Sequence, residues 1–179
     1  MKRAILIVLI VGMAGWAVYD FVISSDTSQV EEATEEDIDI GLKVGNQAPN
    51  FTLRTLDGEE VSLSDFKGER VMVNFWATWC APCRAEIPDM NEFYEDTDIR
   101  VLAVNVTQTE DNIEQVEKFA ERYEMVFPVL LDEENSAANT YQIQPIPTSY
   151  MIDSEGIIQF EALGAMNYDL MVKEYEKMN

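Results

Sequence analysis

Both cysteines of this 179-residue chain lie in one short stretch, NFWATWCAPCRAEIP, which runs from Asn74 to Pro88. Cys80 and Cys83 are separated by two residues, and the chain contains no histidine. A zinc site needs about four nitrogen or sulfur ligands, so two thiols cannot form one within a single chain. Covalent haem attachment requires a histidine directly after the second cysteine, where this chain has Arg84. The pair is therefore a structural disulfide or a redox pair, and we expect no metal and no cofactor.

A disulfide stabilises a fold mainly by closing a loop in the unfolded chain, and the gain grows with loop length. Cys80 and Cys83 enclose only two residues, so a bridge between them would contribute little stability. The pair follows a predicted strand and begins a predicted helix, which places the first sulfur at a helix N-terminus. Unpaired N–H groups and the helix dipole there stabilise a thiolate, the form that attacks a disulfide. We therefore interpret the two cysteines as a redox pair.

Residues 1–23, MKRAILIVLIVGMAGWAVYDFVI, predict a transmembrane anchor. The apolar run is about 20 residues long, enough to cross a bilayer as a helix. Lys2 and Arg3 precede it and acidic residues follow it, which predicts that the N-terminus is inside and the domain outside. The alternative is a cleaved signal peptide, with Gly15 and Ala17 as the small residues before the cut. Either way we expect an extracytoplasmic domain, where disulfides can persist.

Residues 24–42 are rich in Ser, Thr, Asp and Glu and predict an acidic tether, because they carry too few large apolar groups to fold alone. The whole chain has 34 acidic and 12 basic residues, a formal charge of −22. This charge argues against binding to nucleic acid or to an anionic membrane surface. It favours a cationic partner, or it serves solubility alone.

Beyond Lys43 the patterns of strands and helices alternate. FTLRTL and EEVSL flank Asp57 and Gly58 and predict an N-terminal β-hairpin. RVMVNFWA and RVLAVNV predict central strands covered on both faces, and FPVLLD, TSYMID and IIQFEAL predict three more. TEDNIEQVEKFAERYE has helical spacing, with Thr109 as its predicted N-cap, and a closing helix is predicted over 168–178. These elements predict a three-layer α/β domain with a mixed sheet.

The motif VNFWATWCAPC, followed by Pro88 and much later by PIPTSYMID, resembles the thioredoxin superfamily. Pro147 stands at the position of the cis-proline that faces the active site in that family. The leading hairpin, the predicted anchor and a helix inserted around 112–123 are most similar to the ResA/TlpA branch. The resemblance covers residues 43–179 and implies a thioredoxin-like domain preceded by one transmembrane helix.

The resemblance also implies roles for individual residues. Cys80 would be the exposed nucleophile that forms a mixed disulfide with the substrate, and Cys83 the shielded thiol that resolves it. Trp79, Ile146 and Pro147 would form the substrate-binding surface, where Pro147 presents a backbone edge to an extended substrate.

A departure from cytoplasmic thioredoxins concerns proton transfer. Those proteins carry a buried aspartate six residues before the first cysteine, whereas this chain has Asn74, whose amide cannot accept the proton that leaves Cys83. Glu86 lies three residues after Cys83, on the same helix face, and is the candidate acceptor. ResA-like proteins have a glutamate at this position. The alternative is a solvated carboxylate that only interacts with the helix dipole.

These observations predict an extracytoplasmic thiol-disulfide oxidoreductase, acting as a reductase of disulfides in exported proteins. The family's best-known substrate is apocytochrome c, and a membrane thiol donor would keep the enzyme reduced. A peroxiredoxin-like peroxidase is one alternative, because such enzymes share the opening APNFTLRTLDGEEVSLSDFKG, although ATWCAPC does not fit their cysteine spacing. A non-catalytic module whose thiols bind copper or a partner is another, although copper sites usually include histidine.

Overall fold

The computed structural model describes residues 39–178, so the predicted anchor and most of the predicted tether lie outside the described residues. Among residues 39–178, no helix combines the length and the apolar character that crossing a membrane requires. The end of the predicted tether makes hydrogen bonds to the domain. The Gln47 amide donates to the Asp39 carbonyl, and the Gly41 amide donates to the Gln47 carbonyl, both at 3.0 Å.

A seven-stranded mixed sheet forms the centre of the domain. Its strands are β1 (Thr52–Thr55), β2 (Glu60–Ser62), β3 (Val71–Trp76), β4 (Arg100–Asn105), β5 (Val129–Leu131), β6 (Thr148–Ile152) and β7 (Ile158–Leu163). Their order across the sheet is β2-β1-β5-β4-β3-β6-β7. The β3–β4 and β4–β5 pairs are parallel and the others antiparallel. The predicted mixed sheet is confirmed, and β1 and β2 form the predicted hairpin.

Among residues 39–178, four α-helices and two short 3-10 segments accompany the strands; three of the helices connect strands and the last follows β7. They are α1 (Ala81–Asp96), α2 (Ile113–Arg122), α3 (Ser136–Thr140), α4 (Tyr168–Tyr175) and the 3-10 segments Leu63–Phe66 and Thr107–Thr109. The predicted N-cap of α2 was wrong: the Asn112 side chain caps this helix by accepting a hydrogen bond from the Gln115 amide at 2.9 Å. Thr109 instead ends a 3-10 turn, because its hydroxyl donates back to the Val106 carbonyl at 2.8 Å.

Two apolar clusters lie on opposite faces of the sheet. All six residues of β3 are buried, since helices cover one face of this strand and loops and α3 cover the other. One cluster joins the sheet to α1, α2 and α4 and contains both cysteines. The other joins it to α3 and to the segment before β1. This arrangement has the three layers predicted from the sequence, and it fixes the end of β3 at Trp76, four residues before Cys80.

Candidate active site

The cysteine pair lies at the junction between β3 and α1. Cys80 occupies the N-cap position of α1, and its Sγ accepts a hydrogen bond from the Cys83 amide at 3.2 Å. Cys80 and Cys83 form a disulfide with their Cα atoms 5.3 Å apart. Pro82 is tolerated in the first turn of the helix because amides there have no intrahelical partner. The sequence therefore places the first sulfur where unpaired amides can stabilise a thiolate.

Both sulfur-bearing residues are buried in this disulfide form. Cys80 is 4% exposed and Cys83 is 1% exposed, and both belong to the apolar cluster under α1. The expectation that Cys80 is the exposed nucleophile concerns the reduced form, and it stays a prediction.

Glu86 is buried on the same helix, at only 1% exposure. Its Oε1 accepts a hydrogen bond from the Met166 amide at 3.0 Å, and its Oε2 accepts one from Asn74 Nδ2 at 3.4 Å. Burial raises the pKa of Glu86 to about 7, although these two hydrogen bonds oppose the shift and nearby Asp89 adds to it. A solvated carboxylate that only interacts with the helix dipole is therefore excluded.

Asn74 connects this carboxylate to the next strand. Its Nδ2 donates both to Glu86 and to Ser149 Oγ, the latter at 2.9 Å. Asn74 on β3 and Ser149 on β6 are directly paired in the antiparallel register. The residue that replaces the aspartate of cytoplasmic thioredoxins thus donates hydrogen bonds at this position and accepts none from Glu86.

The predicted substrate-binding residues lie on loops around the cysteines. The Ile146–Pro147 peptide bond is cis, and so is the Gln144–Pro145 bond. The buried Pro147 accepts a hydrogen bond from the Gly164 amide at 2.8 Å. Ile146 is half-buried and packs against the cluster that contains the two cysteines.

Trp79 and Ile146 line one cavity of about 370 Å³. Trp79 is 55% exposed, and its Nε1 donates to Thr109 Oγ1 at 3.1 Å, which holds the indole over the cavity. Trp76 is a core residue at 1% exposure, with its ring 5.0 Å from that of Phe119. The structure therefore brings one tryptophan to the surface beside the disulfide and buries the other beneath it.

A further contact, for which no sequence pattern provides a signal, fixes the turn before Cys80. Glu110 Oε1 accepts from the Thr78 amide at 2.7 Å and from Asn105 Nδ2 at 2.9 Å, while Glu110 Oε2 accepts from the Thr78 hydroxyl. Glu110 and Thr78 are 32 residues apart, and an acid before a helix is ordinarily assigned to its dipole. Only the tertiary structure shows that this carboxylate joins the loop after β3 to the loop after β4 by hydrogen bonds.

The described part of the chain, 39–178, contains no group of three or more His, Cys, Asp or Glu side chains that could hold a metal ion. The chemistry that the arrangement supports is exchange at sulfur, with a buried carboxylate that can bind or release a proton near neutral pH.

Comparison with known proteins identifies the family. The sequence model of the AhpC/TSA family matches residues 44–161. The thioredoxin-like protein YneN of Bacillus subtilis is 39% identical over 164 residues, covering 90% of this chain and 88% of YneN. The thiol-disulfide oxidoreductase ResA of Geobacillus thermodenitrificans is 33% identical over 179 residues, covering 98% of this chain and 94% of ResA.

Among solved structures, StoA from Bacillus subtilis superposes with a TM-score of 0.64 at 29% identity, covering 71% of this chain and 96% of StoA. The fold and the cysteine pair thus define a thioredoxin-like protein. The chain belongs to the AhpC/TSA family and, within it, to the ResA-like thiol-disulfide oxidoreductases.

Proposed function

We propose that this chain is a protein-disulfide reductase that acts on exported proteins outside the cytoplasmic membrane. The observation that carries the proposal is the disulfide at the N-terminus of α1, with Glu86 buried on the same helix. A dithiol at this position can transfer two electrons and return to the disulfide observed here.

The reaction proceeds through a mixed disulfide. The Cys80 thiolate attacks one sulfur of the substrate disulfide, forms a new S–S bond and releases the other substrate sulfur as a thiolate. Cys83 then loses its proton and attacks Cys80 Sγ, which forms the Cys80–Cys83 disulfide and releases the second substrate thiol. The substrate gains two electrons and the enzyme loses two, so a donor of thiol electrons must reduce the pair before the next cycle.

We assign to Glu86 the proton that leaves Cys83. A general base works best when its pKa lies near the working pH, and burial brings the pKa of Glu86 to about 7. The Met166 amide and the Asn74 side chain fix the orientation of the carboxylate. Glu86 is therefore held in one position and remains able to titrate.

The cavity beside Trp79 suits an extended segment of a substrate. Ile146 makes no hydrogen bond to another backbone group among residues 39–178, which leaves its amide and carbonyl free for a peptide. The exposed indole of Trp79 offers an apolar contact on the other side of the cavity. Pro147 holds the loop next to this edge.

The membrane location depends on residues 1–23. Their apolar run after Lys2 and Arg3 supports an anchor with the catalytic domain on the outer side. The segment 24–42 would serve as the tether between the anchor and the catalytic domain 43–179. A membrane thiol donor would reduce the pair, and apocytochrome c is the substrate that the family resemblance favours.

The test of this function is trapping of the mixed disulfide. Full-length Cys83→Ser, reduced and mixed with a disulfide-containing exported protein, should accumulate a covalent complex that dithiothreitol releases, because no inner thiol is left to resolve it. Cys80→Ser is the matched control and should trap nothing. Trapping by Cys80→Ser alone would reverse the two roles, and trapping by neither variant would overturn the reductase.

A peroxidase is the alternative, because the opening APNFTLRTLDGEEVSLSDFKG, which peroxiredoxins share, lies within the AhpC/TSA family match over residues 44–161. Wild-type protein that consumed hydrogen peroxide with a thiol donor, but left protein disulfides intact, would favour that alternative.

A further inference from the structure

Three basic side chains gather beside the cysteine pair of this acidic protein. Arg84, Lys118 and Arg122 line one cavity of about 270 Å³, together with Thr78 and the aromatic side chains of α2. Thr78 lies two residues before Cys80, and Arg84 directly follows Cys83. The cavity therefore adjoins the active-site turn, whereas the formal charge of the whole chain is −22.

Helix α2 separates its charges between two faces. Gln115, Lys118 and Arg122 follow each other at spacings of three and four, so they share the face that lines the cavity. The acids of α2 repeat at the same spacings about 100° further round the helix; they are Glu114, Glu117 and Glu121. The helix thus groups its basic side chains on the face that lines the cavity, while its acidic side chains lie on the adjoining face, from which Glu114 reaches Lys118.

The two arginines have no acidic partner within the described range 39–178. Lys118 does, because its Nζ lies 2.6 Å from Glu114 Oε1. Glu110 contacts the cavity residue Thr78, but both of its oxygens already accept hydrogen bonds from that residue. Both arginines are exposed. Two guanidinium groups therefore remain available to an external anion.

An aromatic pair borders the same cavity. The rings of Phe119 and Tyr123 stack with their centroids 4.3 Å apart, and Phe119 packs in turn on Trp76 of β3. This packing connects the surface of α2 to the buried core. The arginine at position 122 is consequently carried on a helix that is fixed against the strand leading to Cys80.

We propose that the cavity between Arg84 and Arg122 binds a carboxylate side chain of the disulfide-bearing substrate, and so places the substrate's disulfide at Cys80. The inference rests on the proposed reductase function and adds a selection for substrates with an acid close to the disulfide. Charge complementarity supports it, since arginine binds carboxylates with two parallel hydrogen bonds. The two arginines also create a local positive charge, which lets this acidic protein bind an acidic substrate that its net charge would otherwise repel.

The test uses two oxidised peptides that differ only in a Glu or a Gln beside the disulfide. The full chain, reduced beforehand, should reduce the Glu peptide with a higher kcat/KM, by about 1.4- to 5-fold for each arginine, the range of an exposed ion pair. Arg84→Gln and Arg122→Gln should each lower this ratio, and the double variant should bring it to one. Arg54→Gln is the matched control, because Arg54 is exposed on β1 and its substitution removes the same charge.

The ratio separates this proposal from a general change in reactivity. Arg84 follows Cys83, so its loss can alter the rate with both peptides, whereas only a binding site for the acid alters their ratio. The preference should shrink as salt shortens the screening length from about 10 Å at 0.1 M to about 3 Å at 1 M.

Reduction of both peptides at equal rates by the wild-type chain would overturn the proposal and leave the reductase intact. Failure to reduce either peptide would overturn the reductase itself. Loss of binding to phosphatidylserine vesicles in the double variant, with an unchanged peptide ratio, would assign the arginines to a membrane surface and would equally overturn the proposal.

Discussion

Glu86→Gln is the substitution that tests the site most directly. In the folded, disulfide-bonded protein burial raises the pKa of Glu86 from 4.5 to about 7. A carboxyl group with a higher pKa in the folded than in the unfolded chain binds its proton more tightly when folded. Its ionisation therefore destabilises the fold, and this cost grows as the pH rises from about 4.5 to about 7 and is constant above that.

The magnitude follows from the pKa difference of about 2.5, at about 1.4 kcal/mol per unit, which gives roughly 3 kcal/mol at most. Glutamine cannot ionise and avoids this cost. Its amide oxygen is a neutral acceptor, as the protonated carboxyl group is, and the pKa of about 7 already includes the effect of the Met166 and Asn74 hydrogen bonds on the charged form. Above pH 7 we therefore expect the variant to be more stable than the wild type by up to roughly 3 kcal/mol, and below pH 4.5 to be close to it.

Urea unfolding of the oxidised proteins between pH 4 and 8 measures this difference. Glu95→Gln, an exposed carboxylate on the same helix, is the control and should follow the wild type at every pH. In the reduced protein, Glu86→Gln should lower the apparent pKa of Cys80 alkylation, because a negative charge near the thiols has gone. It should also slow disulfide reduction, by up to about 100-fold, because the proton acceptor is gone.

Parallel stability curves for Glu86→Gln and the wild type, together with unchanged alkylation and reduction rates, would refute the reasoning. They would mean that Glu86 does not titrate in this pH range and that solvent accepts the proton of Cys83.

Two further predictions concern the active-site turn and the membrane. Glu110→Ala should destabilise the fold by about 1–3 kcal/mol, because it leaves the buried Thr78 and Asn105 donors without their acceptor, and it should alter the Cys80 alkylation rate. Asp111→Ala, an exposed neighbour, should change the stability by less than about 0.5 kcal/mol; equal effects of the two would contradict the role of Glu110. Mass spectrometry of membrane fractions should find an intact N-terminus, whereas a released product beginning near residue 18 would contradict the anchor.

The central strands were predictable because burial on both faces leaves a continuous apolar run. RVMVNFWA predicted a strand over 70–77, and all six residues of β3, Val71–Trp76, are buried. The start of α1 was equally predictable, because a predicted strand ends shortly before Cys80 and Pro82 is favoured in the first turn of a helix. The spacing of Glu86 from Cys83 then fixed the side of the helix on which the carboxylate lies.

Contacts between loops distant in sequence were not predictable. Glu110 lies just before α2 in the sequence, yet it accepts hydrogen bonds from Thr78, and Asn112 instead of Thr109 caps the helix. The short helix α3, Ser136–Thr140, has five residues, too few for apolar side chains to repeat at helical spacing in the sequence. The burial of Glu86, which decides its chemistry, also required the structure, because the spacing alone suited a solvated carboxylate equally well.

Asn74 and Glu86 are best understood together. An aspartate at position 74, on β3, would lie within hydrogen-bonding distance of Glu86 and would place two carboxylates in one buried site. Like charges at such a distance cannot both ionise readily, so the pair would share protons and one of the two pKa values would rise further. Asn74 instead donates to Glu86 and to Ser149, which opposes the effect of burial on the pKa of Glu86. The amide on the strand, together with the Met166 amide, thereby limits the rise in the pKa of the glutamate on the helix and holds it near 7.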